Sequence, residues 1–185
     1  MGVVRDDEAV SDVRRVRVVG CTGSGKTTFG RRLAALLGVP HLELDAIVHH
    51  EAWRPASPEE FATDLEGFLA AAPEGWVVDG NYVSRVGTRL DAADTVVWLD
   101  YPRPLVMTRV VRRTLGRSLV RTELWNGNRE DWRSVFRRDP HQNIVLWAWR
   151  THATTRARFE AASDARWVRL RSPAAARRWL NTLPT

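Results

Sequence analysis

The sequence has 185 residues, of which 44% are hydrophobic and 27% charged, and it carries a formal net charge of +6. Length and composition together predict one globular domain with a full hydrophobic core. No apolar run approaches the roughly 20 residues that a membrane-spanning helix needs, which argues against a membrane partner. The single cysteine cannot form an internal disulfide, and this favours a reducing compartment, the cytoplasm.

Residues 1–14 mix basic and acidic side chains and contain no apolar core of the signal-peptide type. We therefore expect these residues to form a short disordered lead. A single domain is expected over residues 15–185.

The first half of the chain alternates short apolar strands with helices. A strand is predicted over residues 16–19, followed by a glycine-rich loop and a helix over residues 27–37 that ends at Gly38. A second strand is predicted over residues 41–44 and ends at Asp45. This order of strand, loop, helix and strand is typical of a βαβ unit.

The second half continues the alternation. Further strands are predicted over residues 76–78, 95–99 and 167–170. Helices are predicted from a capping box at residues 57–60, over residues 102–115, and from Ser172 and Pro173. Residues 116–139 are polar and irregular between two helical stretches, so they are the candidate lid, which is rich in arginine.

Together these elements predict an α/β fold, namely a three-layer sandwich with an approximately five-stranded parallel sheet and helices on both faces. Ligands of such sheets bind beyond the carboxyl ends of the strands. Asp45, Asp79 and Asp100 each follow a predicted strand at that edge. Functional residues are therefore expected there.

The spacing Gly20-x-x-x-x-Gly25-Lys26-Thr27 matches the phosphate-binding loop pattern in full, between a strand and a helix. Its glycines let backbone N–H groups turn toward phosphates, and the helix N-terminus adds the positive end of its dipole. Lys26 is the only lysine of the chain. Its compact ammonium fits between phosphates better than a planar guanidinium. The predicted ATP-binding residues are Gly20, Thr22, Gly23, Ser24, Gly25, Lys26, Thr27 and Thr28.

A Mg²⁺ ion is expected beside the bound phosphates. The hydroxyl of Thr27 would ligate it, and the carboxylate of Asp79 would hold it directly or through water. The alternative is that Asp79 only begins a turn with Gly80 and Asn81. The metal role is favoured because a phosphate loop requires a Mg²⁺ partner.

Asp45 is the candidate for orienting an attacking hydroxyl group of the phosphate acceptor, or for accepting its proton. The alternative is a carboxylate that caps a helix N-terminus. Two interpretations of the neighbouring His49 and His50 stay equally open: they take part in the site, or they are merely solvated side chains. Further candidate contacts of the acceptor are Asp79, Asn81 and Arg85.

Arginines follow the fourth strand at helical spacing. Arg109, Arg113 and Arg117 share one face of the predicted helix, and Arg112 is offset from it. Guanidinium groups placed over the γ-phosphate would neutralise charge in the transition state. The alternative is a solvated helix face, which is the commoner origin of a charge run.

Residues 124–132 combine two tryptophans, two asparagines and Arg129, a further candidate catalytic residue. This segment could stack on a planar ring and hydrogen-bond its edges, or its tryptophans could dock on the body of the protein. Both interpretations stay open. Trp147 and Trp149 are expected in the core or in an interface.

The chain resembles P-loop kinases of the nucleoside-monophosphate-kinase and shikimate-kinase-like group, including bacterial proteins described as adenylate-kinase-like or as DNA topology modulation proteins. The resemblance rests on the phosphate loop and on residues 76–82, 97–102 and 125–130. It implies that Arg109 and Arg113 form an R-x-x-x-R pair over the nucleotide. Arg85 lies further from the Asp79-Gly80 pair than the substrate-phosphate arginine usual in the group, so an AMP acceptor is not implied.

The favoured hypothesis is an ATP-dependent phosphotransferase that acts on a small hydroxyl or phosphate acceptor. Residues 101–158 contain thirteen arginines and four acidic residues, so a nucleic-acid-associated ATPase or regulator is an alternative. A nucleotide-binding module without turnover is another. The kinase is favoured because the arginines cluster at the expected lid and no nucleic-acid-binding module is recognisable. A monomer and a homodimer are both compatible with the sequence.

Overall fold

The computed structural model describes residues 13–120 and 143–183. The strands are Arg15–Gly20 (β1), His41–Glu43 (β2), Trp76–Asp79 (β3), Thr95–Leu99 (β4) and Trp167–Leu170 (β5). The helices are Lys26–Leu37 (α1), Leu44–Val48 (α2), Pro58–Ala71 (α3), Val83–Val86 (α4), Arg103–Val120 (α5), Ile144–Ala162 (α6) and Pro173–Thr182 (α7), with a short 3₁₀ helix at Glu51–Trp53.

The five strands form one sheet in the order β2-β3-β1-β4-β5, and every pair of neighbours is parallel. This confirms the predicted five-stranded parallel sheet. In its register, Val18 of β1 lies beside Asp79 of β3, and Gly20 lies beside Leu99 of β4. Because β1 is central, the loop that follows it emerges between the carboxyl ends of its two neighbours.

Alternate residues of each strand pack on opposite faces of the sheet. On one face, Val97 belongs to a core cluster with Leu33 of α1 and Trp179 of α7. On the other face, Trp98 of β4 packs with Phe159 of α6. Helices therefore cover both faces, and the predicted three-layer sandwich is confirmed. Burial of each such side chain contributes roughly 1.5–3 kcal/mol to folding.

The second strand ends earlier than the sequence predicts. Leu44 is the first residue of α2 rather than the last of β2, and Asp45 lies in the first turn of this helix. Leu44 and Val48 stand one helical turn apart and are both buried with Phe61. Residues four apart lie on the same face of a helix, so α2 directs both side chains into the core.

The helix after β4 runs further than predicted, from Arg103 to Val120. Residues 116–120 of the candidate lid are therefore helical, and residues 121–139 lie outside the described part of the chain. Gly116 does not end the helix, because one glycine costs only about 1 kcal/mol relative to alanine. Val106 and Val110, both fully buried, hold the preceding turns against the core.

The domain begins before residue 15. Val13 is buried in the core, and the backbone N–H of Arg14 donates to Asp94 Oδ2 at 3.0 Å. The carbonyl of Arg14 also accepts from the N–H of Trp76 at 2.8 Å. The predicted lead is thus too long by at least two residues, and residues 1–12 are outside the described chain.

Trp147 and Trp149 are not core residues, and that part of the prediction is wrong. Their exposed fractions are 36% and 52%. The inward face of α6 is formed instead by Ala148, His152 and Phe159, which recur at helical spacing. An interface role for the two tryptophans stays a prediction.

Across the part of the chain that the structure describes, no helix combines the length and the apolar character that crossing a membrane requires.

The capping box at the start of α3 is formed as predicted. The backbone N–H of Glu60 donates to Ser57 Oγ at 3.1 Å, and the backbone N–H of Ser57 donates to Glu60 Oε2 at 2.7 Å. Pro58 occupies the first turn, where a missing N–H costs nothing.

Replacing Ser57 by alanine should lower the free energy of unfolding by about 1 kcal/mol, because an N–H of the first turn loses its acceptor. Urea denaturation measures the change. The control is Ser84→Ala on the exposed surface of α4, which should leave the midpoint nearly unchanged. Equal midpoints for Ser57→Ala and the wild type would contradict the capping role.

Candidate functional site

The glycine-rich loop lies between β1 and α1, as predicted. Gly23 and Gly25 adopt positive φ angles of 83° and 95°, which side chains with a Cβ rarely adopt. A Cβ on Gly23 would lie 2.3 Å from Val110 Cγ2 of α5. The backbone N–H of Ser24 donates to the carbonyl of Cys21 at 3.0 Å and tightens the turn. This backbone suits an anion-binding nest.

The hydroxyl of Ser24 is buried and has no hydrogen-bond partner among the described residues. Buried polar groups nearly always have a partner, so an orphaned hydroxyl in a glycine loop indicates a missing acceptor. A phosphate oxygen would provide one. Of the other predicted loop contacts, Thr22 is half-buried and Thr28 is exposed.

The ammonium of Lys26 turns back onto the loop. Its Nζ donates to the carbonyl of Gly20 at 3.0 Å and to the carbonyl of Cys21 at 3.3 Å. Burial lowers the pKa of Lys26, while the negative charges of Asp45 and Asp79 oppose this shift. Both carboxylates are therefore close enough to the ammonium for their negative charges to stabilise it.

A second set of polar groups surrounds Thr27. Its Oγ1 donates to Glu43 Oε1 at 2.7 Å and lies 3.3 Å from Asp79 Oδ1. The other carboxylate oxygen of Asp79, which is buried, lies 2.8 Å from His41 Nε2. The structure thus brings Thr27 and Asp79 together as predicted.

Glu43 and His41 are site residues that the sequence analysis missed. Both lie on β2, and Glu43 stands beside Asp79 in the sheet register. The signal was the position of Glu43 at the end of the strand, next to the predicted carboxyl edge. Recognising it required knowing that β2 pairs with β3.

The oxygens around Thr27 suit a hard divalent cation. A hydroxyl and one or two carboxylates, completed by phosphates and water, are the ligands that Mg²⁺ prefers. No group of three or more His, Cys, Asp or Glu side chains could hold a metal ion by itself in residues 13–120 and 143–183. The donor set therefore fits a cation that arrives with a polyphosphate.

Asn81 is predicted as an acceptor contact, but its amide is used elsewhere. Its Nδ2 donates to the carbonyl of Gly20 at 2.8 Å, and its Oδ1 accepts from the N–H of Gly20 at 3.2 Å. Both ends of the amide are thus bonded to one backbone residue. Asn81 ties the segment after β3 to the start of the phosphate loop.

On the opposite side of the loop, α5 contributes arginines. Arg109 donates from a terminal nitrogen to the carbonyl of Ser24 at 2.7 Å, and its guanidinium lies 5.1 Å from the ring centre of Tyr101. Arg113 is close enough for its charge to lower the pKa of Lys26. Arg129, the third predicted arginine, lies outside the described residues.

A polar cluster surrounds Asp45. Tyr82 donates its phenolic proton to Asp45 Oδ1, and His49 Nε2 lies 3.4 Å from the same phenol oxygen. Arg85, a predicted acceptor contact, donates to the carbonyl of Ala56 at 2.8 Å. Tyr82 was missed because tyrosine in a segment after a strand carries no specific sequence signal.

Two pKa values are shifted in this cluster. Burial, followed by the charge of Asp45 and the hydrogen bond to it, raises the pKa of Tyr82. Burial lowers the pKa of His49, although the charge of Asp45 opposes the shift. Tyr82 and His49 are therefore both neutral at pH 7.

Replacing Gly23 by alanine should lower the free energy of unfolding by roughly 2–4 kcal/mol, because the new Cβ requires a strained φ angle and overlaps Val110. Urea denaturation provides the measurement. Gly67→Ala in α3 is the matched control, since nothing lies within 4 Å of its Cβ position and alanine favours a helix. Unchanged stability of Gly23→Ala would contradict the loop geometry.

The sequence is similar to those of known shikimate kinases. Shikimate kinase of Mycobacterium avium is 36% identical over 115 residues, which cover 55% of this chain and 62% of the relative. Shikimate kinase of Synechococcus elongatus is 28% identical over 131 residues, covering 57% of this chain and 62% of the relative. The chain thus spans less than two thirds of the length of these relatives. No protein-family model matches the sequence.

Two solved structures are similar over almost the whole chain. A shikimate kinase from Acinetobacter baumannii in complex with shikimate has a TM-score of 0.53 and 21% identity, covering 92% of this chain and 90% of its own. A gluconokinase from Sinorhizobium meliloti has a TM-score of 0.51 and 18% identity, covering 94% and 90%. The sheet order and these similarities show that the chain has the fold of these shikimate kinase and gluconokinase structures.

Proposed function

We propose that this protein transfers the γ-phosphoryl group of MgATP to a hydroxyl group of a small molecule. The observation that carries the proposal is the geometry at the start of α1. Lys26 Nζ donates to the loop carbonyls of Gly20 and Cys21, Thr27 Oγ1 lies 3.3 Å from Asp79 Oδ1, and Asp45 is close enough for its charge to act on Lys26. A phosphate-binding cation, a carboxylate suited to an acceptor and a carboxylate suited to a metal then act on the same reacting centre. Such positioning and charge neutralisation supply most of the catalysis in phosphoryl transfer.

The nucleotide phosphates would bind the loop from Gly20 to Thr28. The orphaned Ser24 hydroxyl and the positive end of α1 support this role. Lys26 would exchange its bonds to the loop carbonyls for bonds to the β- and γ-phosphates. Since an ammonium binds anionic phosphate oxygens more strongly than neutral carbonyl oxygens, this exchange favours the bound state.

Thr27 and Asp79 would hold the Mg²⁺ ion, and Glu43 would support Thr27 or bind a water of the ion. When bound, the ion neutralises charge that develops on the phosphates. His41 holds one oxygen of Asp79, which leaves the oxygen nearer to Thr27 for the ion or its water. Such support of a metal-binding carboxylate fixes its orientation.

Asp45 would orient the acceptor hydroxyl and receive its hydrogen bond. A carboxylate repels a second anion, so the Asp45 environment favours a neutral hydroxyl over a phosphate as the nucleophile. Arg85, which lies close enough to act on His49 and Tyr82, could hold an anionic group elsewhere on the acceptor. A hydroxylated carboxylic acid fits both requirements.

Arginines of α5 and of the segment after it would complete the site. The charge of Arg113 already acts on Lys26, so the Arg113 guanidinium is suited to binding the γ-phosphate. Arg109 braces the loop and would face the nucleotide from α5, while Arg129, which lies outside the described residues, stays a predicted catalytic residue. We place the reaction in the cytoplasm, with a small molecule rather than a nucleic acid as partner.

The test is a transfer assay with purified protein, MgATP and a panel of acceptors that includes shikimate, sugar acids, polyols, nucleosides and nucleoside monophosphates. Phosphorus NMR identifies the product, and release of ADP gives the rate. We expect transfer to at least one alcohol. Asp45→Asn should lower kcat for it by roughly a hundredfold or more, because the nucleophile loses its orienting carboxylate.

Asp64→Asn, on the exposed face of α3, is the control and should retain wild-type rates. Absence of transfer to every acceptor would contradict the kinase proposal. Faster transfer to a nucleoside monophosphate than to any alcohol would contradict the hydroxyl class. Full activity of Asp45→Asn would remove Asp45 from the mechanism.

A further inference from the structure

The hydrogen bond between Tyr82 and Asp45 connects two segments of the acceptor side. Asp45 belongs to α2, after β2, whereas Tyr82 follows β3 and precedes α4. The phenol donates to Oδ1 of the carboxylate. Oδ2 takes no part in this bond.

The donor in this bond can be assigned from the chemistry of the three groups. A phenol carries one proton, and the raised pKa of Tyr82 keeps it in place at neutral pH. Asp45, when ionised, can only accept. His49 Nε2, at 3.4 Å from the phenol oxygen, can therefore assist only by donating its own N–H to that oxygen.

Aromatic contacts restrict both rings of this cluster. The ring of Tyr82 lies 6.5 Å from that of Phe61, and the ring of His49 lies 5.5 Å from that of Trp53 at an angle of 71°. Phe61 is fully buried, so it offers a fixed surface. Trp53 has a φ of 57°, the only positive φ of a non-glycine residue in the described chain. Such conformations persist only where surrounding contacts hold them.

We propose that Tyr82 is a positioning residue that fixes the Asp45 carboxylate with one oxygen directed to the acceptor hydroxyl. This inference rests on the proposed phosphotransferase function. Without the phenol, the carboxylate can rotate about its terminal torsion, which is broad for aspartate. The acceptor hydroxyl would then be held in line with the γ-phosphate for a smaller fraction of the time.

The first test compares Tyr82→Phe, Asp45→Asn and the double variant on the best acceptor from the panel. Phenylalanine keeps the ring contacts and removes only the donor. We expect Tyr82→Phe to lower kcat by ten- to hundredfold, the usual worth of a hydrogen bond to a charged group. The KM for ATP should stay within about twofold of the wild type, since the phenol bonds Asp45 and His49 rather than the loop.

The double variant separates positioning from a structural role. If Tyr82 acts through Asp45, its removal from the Asp45→Asn protein should have no further effect on kcat. Additive losses would overturn the proposal, as would an unchanged kcat of Tyr82→Phe. Glu66→Gln, which alters an exposed ion pair with Arg89, is the control and should leave all rates unchanged.

The second test needs no turnover. The chain has two tyrosines, so protein made with ¹³Cζ-labelled tyrosine gives two NMR signals, and Tyr101→Phe assigns them. Asp45→Asn should move the Tyr82 signal, because an amide is a weaker acceptor than a carboxylate, and leave the Tyr101 signal in place. An unmoved Tyr82 signal would overturn the proposal.

A negative result for the proposed function and a negative result for the role of Tyr82 can be told apart. A wild-type protein that phosphorylates nothing in the panel would contradict the proposed function. The labelled tyrosine would in that case still decide whether Tyr82 holds the Asp45 carboxylate.

Discussion

The site depends on one ammonium group held between backbone carbonyls and carboxylates. Lys26 donates to the carbonyls of Gly20 and Cys21, so its charge is partly satisfied before any ligand arrives. Burial penalises that charge, and Asp45 and Asp79 compensate for part of the penalty. An anionic ligand would complete the compensation, which explains how the charge of Lys26 is maintained in a partly buried site.

The loop that holds this ammonium is braced from both sides. Asn81 bonds both backbone groups of Gly20 from the β3 side, and Arg109 bonds the carbonyl of Ser24 from α5. Gly23 lets α5 approach so closely that a methyl group could not be added there. A loop fixed in this way loses little conformational freedom on binding, so more of the interaction energy contributes to affinity.

Much of this arrangement could be predicted from the sequence, because its signals are local. The spacing of Gly20, Gly25 and Lys26 specifies the loop, and the carboxylates after predicted strands indicate the active edge. The roles of Glu43 and Tyr82 could not be predicted, since they arise from strand pairing and from contacts between distant segments. The sequence also does not reveal that the amide of Asn81 bonds Gly20. The early end of β2 follows from the burial of Leu44, which depends on the tertiary fold.

Calorimetric titration of wild-type and Lys26→Ala protein with a non-hydrolysable ATP analogue and Mg²⁺ measures whether Lys26 binds a triphosphate. Circular dichroism establishes that the variant is folded, and Arg32→Gln, on the exposed face of α1, controls for the loss of a positive charge. We expect Lys26→Ala to weaken binding by roughly a hundredfold, as is usual for charge-assisted bonds in a partly buried site, and Arg32→Gln to bind normally. Wild-type affinity in a folded Lys26→Ala protein would contradict this role of Lys26.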